Sequence, residues 1–176
     1  MKFLRFAAPV ALIAATFAPA SAALDAGVAA PPFKTEASLG GKVFSFDLKA
    51  ALAKGPVVLY FYPAAFTKGC TIEAHDFADH IDDYAKLHAT VIGVSADDID
   101  TLDKFSVSEC RSKFAVASDK DLKIAKSYDA VLTDKYANRT SYVIAPDGKI
   151  AYTYTALDPS KHVENTLAAL KKLETK

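Results

Sequence analysis

The chain has 176 residues, with 21 basic and 21 acidic side chains and therefore no formal net charge. These charges are mixed along the sequence, and no basic patch indicates nucleic-acid binding. A chain of this length buries roughly two thirds of the surface of its unfolded state, so it needs neither a metal nor a disulfide to fold as one domain.

The first 22 residues have the order of a secretory signal. Lys2 and Arg5 precede an almost wholly apolar run at residues 6–17, and small residues follow at 20–22. The apolar run of roughly a dozen residues is shorter than the ~20 that a membrane-spanning helix needs. We therefore expect cleavage after residue 22, export to the periplasm or out of the cell, and no stable membrane association. A retained N-terminal anchor is the alternative.

Residues 23–32 are rich in alanine and proline without an apolar period, which predicts a flexible lead-in to a single domain at residues 33–176. In that domain, two segments at 33–37 and 42–46 flank Gly40-Gly41 and are predicted to pair as a hairpin. The sequence has no internal repeat or low-complexity segment that would indicate a second domain.

Residues 47–95 alternate between helix and strand patterns. A short helix at 47–53 precedes the continuous apolar run PVVLYFY at 56–62, which is typical of a central strand covered on both faces. A longer helix is predicted at about 70–87, and a second buried strand at 89–95. The residues of the longer helix that are predicted to face inward are Ile72, Phe77, Ile81 and Tyr84.

The second half of the chain continues this alternation. We predict a helix at 99–110, a short strand at 114–117, a short helix at 122–128 and a hairpin at 140–155 around a Pro-Asp-Gly turn. A final helix begins near Asp158, whose side chain can cap it. Strands that alternate with helices and end in a hairpin predict an α/β sandwich with a mixed central sheet flanked by helices.

The chain has two cysteines, Cys70 and Cys110. In an oxidising compartment the default interpretation is a structural disulfide, which would contribute roughly 4 kcal/mol for a loop of about 40 residues. Cys70, however, follows a buried strand and starts a predicted helix, where unpaired N–H groups and the helix dipole favour the thiolate. The thiolate is the nucleophilic form of cysteine. An inert buried thiol is the alternative.

The sequence around Cys70 resembles the peroxiredoxin family. Residues 61–73 are FYPAAFTKGCTIE, in which a proline, a threonine and a cysteine have the spacing P-x-x-x-T-x-x-C of that family. The following T-x-E is similar to the bacterioferritin-comigratory, or Q-type, branch. Residues 94–97, 117–119 and 139–148 resemble further blocks of the same family, so the resemblance extends from about Pro32 to the C-terminus.

The resemblance implies a thioredoxin-like fold and a thiol-dependent peroxidase. It implies Cys70 as the attacking thiolate, Thr67 as a hydrogen-bond partner of the peroxide, and Pro63 as a shield against water. Arg139 would hold the thiolate and polarise the O–O bond. The residue types alone also permit simpler roles: Pro63 could end a strand, Thr67 could cap a helix, and Arg139 could be a surface charge.

The position of the second reactive cysteine and the role of Glu73 differ between branches of the family. One common form of the Q-type branch has its second cysteine five residues after the first, where this chain has His75. A second subgroup has it on the later helix, which implies that Cys110 attacks the sulfenic acid of Cys70 to form an intramolecular disulfide. We then expect both segments to unwind, because a disulfide needs Cα atoms within about 7 Å. An external thiol is the alternative to Cys110. Glu73 either belongs to the site or complements the helix dipole.

Competing functions require residues that the chain lacks. A thiol–disulfide oxidoreductase uses Cys-x-x-Cys, and position 73 is glutamate. A copper chaperone of a similar fold uses Cys-x-x-x-Cys, and position 74 is alanine. His75 and His80 lack the i, i+4 spacing of one helical face, so we expect no metal. A non-enzymatic exported domain with a structural Cys70–Cys110 disulfide stays open.

The expected partners follow from the resemblance. The substrate would be hydrogen peroxide or an alkyl hydroperoxide, and the reductant a thioredoxin-like protein or another thiol. The sequence indicates no cofactor, and a monomer is expected by resemblance.

Overall fold

The computed structural model describes residues 23–175, so the signal predicted at residues 1–22 lies outside the described residues. One sheet carries helices on both faces. Its strands are β1 (Lys34–Leu39), β2 (Lys42–Asp47), β3 (Val57–Phe61), β4 (Thr90–Ser95), β5 (Ala115–Ser118), β6 (Thr140–Ile144) and β7 (Ile150–Thr155). The α-helices are α1 (Leu48–Leu52), α2 (Lys68–Asp79), α3 (Ile81–Lys86), α4 (Ile99–Ser108), α5 (Lys123–Ser127) and α6 (His162–Glu174).

The sheet is mixed, with the strand order β2-β1-β5-β4-β3-β6-β7. Strands β3, β4 and β5 run parallel to one another. The outer strands pair antiparallel, and both predicted hairpins, β1–β2 and β6–β7, are present. The predicted α/β sandwich with a mixed central sheet flanked by helices is therefore confirmed.

Strand β3 divides the interior into two cores because its side chains alternate between the sheet faces. Val57, Leu59 and Phe61 pack with residues of α1 and α5, whereas Val58 and Tyr60 pack with residues of α2, α4 and α6. All five residues of the strand are buried. We call the second group the cysteine core, because Cys70 and Cys110 both belong to it.

The long helix predicted at residues 70–87 is two helices, with His80 at the junction. The prediction that Ile72 faces inward is wrong, because this side chain is 48% exposed. The buried stripe of α2 runs instead through Cys70, Ala74 and Phe77. At 100° per residue, a side chain two positions after Cys70 points to the opposite side of the helix.

Two other boundaries differ from the prediction. Helix α4 ends at Ser108, so Cys110 lies after the helix rather than in it. The final helix is preceded by a 3₁₀ turn at Pro159–Lys161, and the Asp158 carboxylate accepts a hydrogen bond from the backbone N–H of Ser160 at 2.9 Å. Asp158 therefore caps this turn, and α6 proper begins at His162.

The predicted lead-in at residues 23–32 contacts β7 and the turn before it. The Gly27 N–H donates to the Ile150 carbonyl at 2.7 Å, and the Ile150 N–H donates to the Val28 carbonyl at 2.9 Å. The Thr153 hydroxyl also donates to the Leu24 carbonyl at 2.7 Å. These hydrogen bonds attach the segment to the sheet edge, which an alanine- and proline-rich composition does not indicate. Within residues 23–175, the helices are too short or too polar to cross a membrane.

Replacing Gly93 by alanine tests the packing of the cysteine core. A Cβ at this position of β4 would lie 2.7 Å from the hydroxyl oxygen of Tyr60. The Tyr60 ring cannot move away easily, because it is fully buried and stacked on Phe77 with ring centres 4.4 Å apart. We expect Gly93→Ala to lower the free energy of unfolding by about 1–3 kcal/mol, as overpacked cores do, measured by urea denaturation.

Tyr60→Phe is the matched control. The Tyr60 hydroxyl is buried and has no hydrogen-bond partner among the described residues. Its removal should therefore leave the free energy of unfolding unchanged or raise it. Equal stability of Gly93→Ala and the wild type would contradict the close contact between β3 and β4.

Candidate active site

Cys70 lies in the first turn of α2, and its side chain is almost completely buried. The turn is entered from β3 through a short loop in which Phe66 has the positive φ of 61°. Asp97 fixes this loop, because its Oδ2 accepts hydrogen bonds from the Ala65 N–H at 2.8 Å and from the Ser95 hydroxyl at 2.7 Å. The loop therefore places the thiol at the amino end of a helix, where the backbone N–H groups and the helix dipole favour a negative charge.

Arg139 contacts the thiol from the neighbouring strand. It directly precedes β6, and Thr140, the first residue of β6, pairs with Phe61 at the end of β3. The guanidinium donates through Nη2 to Cys70 Sγ at 3.4 Å and through Nε to the Leu157 carbonyl at 2.8 Å. With only 4% of its surface exposed, Arg139 is not a surface charge.

Glu73 forms a buried hydrogen bond with this guanidinium. Arg139 Nη1 donates to Glu73 Oε2, and both side chains are almost fully buried. Burial alone would lower the pKa of Arg139, but the charges of Glu73 and Cys70 outweigh it and raise the pKa. Arg139 is therefore a fixed cation beside the sulfur. Burial raises the pKa of Glu73 to about 8, although the Arg139 charge acts in the opposite direction.

Thr67 and Pro63 belong to the loop that leads to Cys70. Thr67 is the N-cap residue of α2 by its backbone, yet its side chain makes no capping hydrogen bond. Its hydroxyl donates to the Ala64 carbonyl at 2.9 Å, and the side chain is exposed. The proton is thus directed away from the helix, and the lone pairs of Oγ1 stay available to accept a hydrogen bond. Pro63 is half-buried, two residues after the end of β3.

Cys110 belongs to the same core as Cys70 but has a different environment. Both cysteines are free and buried. Burial, assisted by the Glu109 charge, raises the pKa of the Cys110 thiol far above its ordinary value. Cys110 is therefore protonated where it lies. Among the described residues, no cation contacts its sulfur as Arg139 contacts that of Cys70.

Residues 109–113, which we call the Cys110 segment, are attached to α2 by side chains. His75 Nε2 lies 2.9 Å from Glu109 Oε2, and Arg111 pairs with Asp79. Lys113 Nζ donates to the Ala78 carbonyl at 3.0 Å. Within the segment, Arg111 and Ser112 both have positive φ, at 51° and 56°. Two consecutive left-handed residues other than glycine are unfavourable, so contacts with α2 and burial of Cys110 must offset this cost.

The histidines that could suggest a metal have other partners. His75 pairs with Glu109, and His80 Nδ1 lies 3.3 Å from Asp76 Oδ1. In the described part of the chain, no three His, Cys, Asp or Glu side chains form a group that could hold a metal ion.

Sequence reasoning missed three residues of the site. Gly69 allows the guanidinium to approach, because a Cβ there would lie 3.1 Å from Arg139 Nη2. Asp97 fixes the loop before Cys70, and its sequence signals are its place two residues after a buried strand and within the block at 94–97 that resembles the family. His162 is completely buried behind Glu73, with its Nδ1 3.7 Å from Glu73 Oε1. No local pattern indicates this position, since α6 is distant from α2 in the sequence.

Comparison with known proteins gives consistent results. The model of the AhpC/TSA family matches residues 26–153. Peroxiredoxin Q, chloroplastic, of Triticum aestivum is 34% identical over an alignment that covers 94% of this chain and 80% of the relative. The putative peroxiredoxin bcp of Helicobacter pylori strain J99 is 33% identical, with 84% and 98% covered. Peroxiredoxin Bcp of Escherichia coli K12 is 30% identical, with 84% and 96% covered.

Solved structures agree with the sequence comparison. The crystal structure of peroxidoxin BcpB from Mycobacterium tuberculosis is similar with a TM-score of 0.76 and 29% identity, covering 84% of this chain and 97% of that one. Mycobacterium tuberculosis AhpC is similar in fold, with a TM-score of 0.78 at 19% identity and 88% and 95% covered. The predicted thioredoxin-like fold is thereby confirmed.

Gly69→Ala tests the contact between the guanidinium and the thiol. The added Cβ must displace Arg139 Nη2, which Leu157 and Glu73 hold in place. We expect iodoacetamide to alkylate Cys70 more slowly in the variant, by up to roughly tenfold, because a hydrogen bond to a charged group contributes about 1.5–3 kcal/mol. The free energy of unfolding should change by less than about 1 kcal/mol, because the better helix propensity of alanine opposes the strain on the buried guanidinium.

Lys68→Ala is the control for this substitution. Lys68 lies in the same turn of α2 but is exposed. Its substitution should leave the alkylation rate within twofold of wild type, roughly as expected for an exposed side chain. Unchanged alkylation of Gly69→Ala at pH 7 would show that Arg139 does not hold the thiolate.

Proposed function

This chain belongs to the AhpC/TSA family and is a thiol-dependent peroxidase of the peroxiredoxin type, and from that premise we propose that Cys70 is its peroxidatic residue. The observation that carries the proposal is the 3.4 Å hydrogen bond from Arg139 Nη2 to Cys70 Sγ at the start of a helix. Both the cation and the helix dipole stabilise a thiolate more than a thiol.

In the first step, the Cys70 thiolate attacks the terminal oxygen of a hydroperoxide. The S–O bond forms and the O–O bond breaks, so that Cys70 becomes a sulfenic acid. The leaving oxygen takes up a proton and departs as water or an alcohol. Arg139 stabilises the negative charge as it moves from sulfur to the leaving oxygen, without giving up a proton itself.

Thr67 and Pro63 orient the peroxide in this proposal. The Thr67 hydroxyl already donates to the Ala64 carbonyl, so its oxygen can accept a hydrogen bond from the peroxide O–H. A peroxide held in this way has its terminal oxygen directed at the sulfur. Pro63 has no N–H and is half-buried at the loop entrance, which suits a group that keeps water from the thiolate.

In the second step, we propose that Cys110 attacks the sulfur of the sulfenic acid. The S–S bond forms, the S–O bond breaks, and the hydroxyl leaves as water. Cys110 must leave its buried position first, since its thiol is completely inaccessible there and its pKa is raised. Release of the Cys110 segment relieves two left-handed residues, Arg111 and Ser112, which lowers the cost of this local unwinding.

The reductant, the location and the quaternary state are further proposals. A thioredoxin-like dithiol would reduce the Cys70–Cys110 disulfide and supply the two electrons of each cycle. Export to the periplasm or out of the cell is supported by the basic, apolar and small residues of the first 22 positions. N-terminal sequencing of exported protein should then begin at Ala23. A monomer is proposed on the resemblance, and light scattering tests it.

The non-enzymatic alternative is not favoured. It requires a permanent Cys70–Cys110 disulfide, whereas the relatives that cover most of the chain are peroxiredoxins. The thiol–disulfide oxidoreductase is not favoured for the same reason, and position 73 is a buried glutamate rather than a cysteine.

Intact-mass measurement tests both steps. Pre-reduced protein without its first 22 residues is sampled within seconds of adding one equivalent of hydrogen peroxide. Wild type should lose two hydrogens, Cys70→Ser should not change, and Cys110→Ser should gain oxygen without forming a disulfide. Oxygen adducts in wild type would contradict the role of Cys110, and a wild type that stays reduced for minutes would contradict the role of Cys70.

Asp79→Asn tests release of the Cys110 segment. The substitution removes the exposed Asp79–Arg111 ion pair. Exposed pairs contribute about 0.2–1 kcal/mol, so disulfide formation after the sulfenic acid should become up to about fivefold faster. Added salt screens the same ion pair, so it should accelerate disulfide formation in wild type and have a smaller effect on the variant. Asp83→Asn is the matched control, because Asp83 pairs with Lys86 on α3. Equal rates in all three proteins would show that the contact does not limit resolution.

A further inference from the structure

His162 is a buried histidine that the proposed mechanism does not use. It is the first residue of α6 and is completely buried. Its Nε2 lies 2.9 Å from the Ala156 carbonyl oxygen, and its Nδ1 lies 2.8 Å from the Ser141 hydroxyl. The Tyr154 ring packs against it edge to face, with ring centres 4.8 Å apart. These contacts fix the orientation of the imidazole.

The hydrogen-bond partners determine where the ring carries its proton. A backbone carbonyl only accepts hydrogen bonds, so Nε2 is the protonated nitrogen. Burial lowers the pKa of His162 to about 4, and the ring is neutral at neutral pH. Nδ1 therefore carries one lone pair, which lies 2.8 Å from the Ser141 hydroxyl and 3.7 Å from Glu73 Oε1, so a proton on Oε1 would share this lone pair with Ser141 or displace the Ser141 hydrogen bond.

Glu73 Oε1 is an unusual atom in this core. It is buried and has no hydrogen-bond partner among the described residues, while the other carboxyl oxygen accepts from Arg139. Because Oε2 accepts from Arg139, a proton that the carboxyl binds belongs on Oε1, and Nδ1 of His162 is a side-chain acceptor 3.7 Å from this atom. A movement of about 0.7 Å would bring the two atoms into hydrogen-bond range.

We propose that His162 is a positioning residue that acts on Cys70 through Glu73 and Arg139. Its unprotonated Nδ1 favours a neutral Glu73, with the proton on Oε1. A neutral Glu73 still accepts from Arg139 through Oε2 but no longer cancels the guanidinium charge. That charge then stabilises the Cys70 thiolate, whose sulfur accepts a hydrogen bond from Nη2 of the same guanidinium.

Other charged groups around His162 do not replace this effect. Glu73 faces it from α2 and Arg139 from the residue before β6, while β7 presents Tyr154 and the loop before the 3₁₀ turn presents Asp158. The Arg139 and Asp158 charges act on the imidazole in opposite directions. Asp158 is also engaged with the Ser160 N–H. Among these groups, Glu73 is the one whose buried oxygen faces the imidazole lone pair.

The test is the pH profile of the reaction of Cys70 with hydrogen peroxide, followed by intact mass in proteins that carry Cys110→Ser. In His162→Leu and in His162→Gln, no acceptor remains at the Nδ1 position, so Glu73 ionises more readily and competes for Arg139. We expect the pH midpoint of the reaction to rise by about one unit, which lowers the rate on the acid side about tenfold. His162→Asn places a side-chain oxygen near the Nδ1 position and should retain the wild-type midpoint.

Thr166→Val is the matched control for a general effect of loosening α6. Thr166 is fully buried one turn after His162, and its hydroxyl lies 2.7 Å from that of Tyr84 and donates to the His162 carbonyl at 2.7 Å, so the substitution loosens α6 at His162 without changing the imidazole. The pH midpoint of the Cys70 reaction in Thr166→Val should equal that of wild type even if the variant is less stable. If His162→Leu does not fold, the comparison of His162→Gln with His162→Asn carries the test.

The possible outcomes separate this proposal from the proposed function on which it rests. Wild type that does not react at Cys70 contradicts the proposed function. If wild type reacts and the His162→Leu and His162→Gln variants have the same pH midpoint as wild type, only the role of His162 is contradicted. The same conclusion follows if Thr166→Val shifts the pH midpoint as much as the His162 variants do. The Glu73→Gln background supplies a further check. A permanently neutral residue 73 should abolish the effect that His162→Leu has on the midpoint.

Discussion

The contact on which the site depends is the buried guanidinium of Arg139 between Glu73 and Cys70. A cation that is only 4% exposed is unfavourable unless hydrogen-bond acceptors surround it. Glu73, the Leu157 carbonyl and the sulfur meet this requirement. Because Glu73 and the Leu157 carbonyl are parts of the protein, they hold the guanidinium with its Nη2 directed at the sulfur before any substrate binds. In the proposed mechanism, such preorganisation avoids reorganising the site during the reaction.

The sheet topology creates this contact. Strands β3 and β6 are antiparallel neighbours, and Phe61 at the end of β3 pairs with Thr140 at the start of β6. The loop that leads to Cys70 and the residue before β6 therefore meet at the same edge of the sheet. The β-ladder holds Arg139 beside the start of α2, although the two positions are far apart in the sequence. Gly69 then leaves the space that the guanidinium needs.

The two cysteines share one core but have opposite electrostatic environments. Cys70 has a cation and a helix amino terminus beside it, whereas Cys110 has a carboxylate as its neighbour and a pKa that burial raises. In the proposed cycle this difference assigns the order of reaction, since only one of the two sulfurs has a cation and a helix amino terminus beside it. The other must be released, and its segment combines left-handed backbone with exposed ion pairs that salt can weaken.

Features that depend on neighbours along the chain were predictable from the sequence. These include the run of β3, both hairpins, the mixed α/β class and a cysteine at the start of a helix after the P-x-x-x-T-x-x-C spacing. The three-dimensional structure was needed to establish the break at His80, the exposure of Ile72, the end of α4 before Cys110 and the attachment of residues 23–32 to β7. It was also needed to establish that Glu73 turns inward to Arg139 and His162. Strand periodicity and turn chemistry are local properties, whereas the pairing of buried charges depends on which strands and helices the topology brings together.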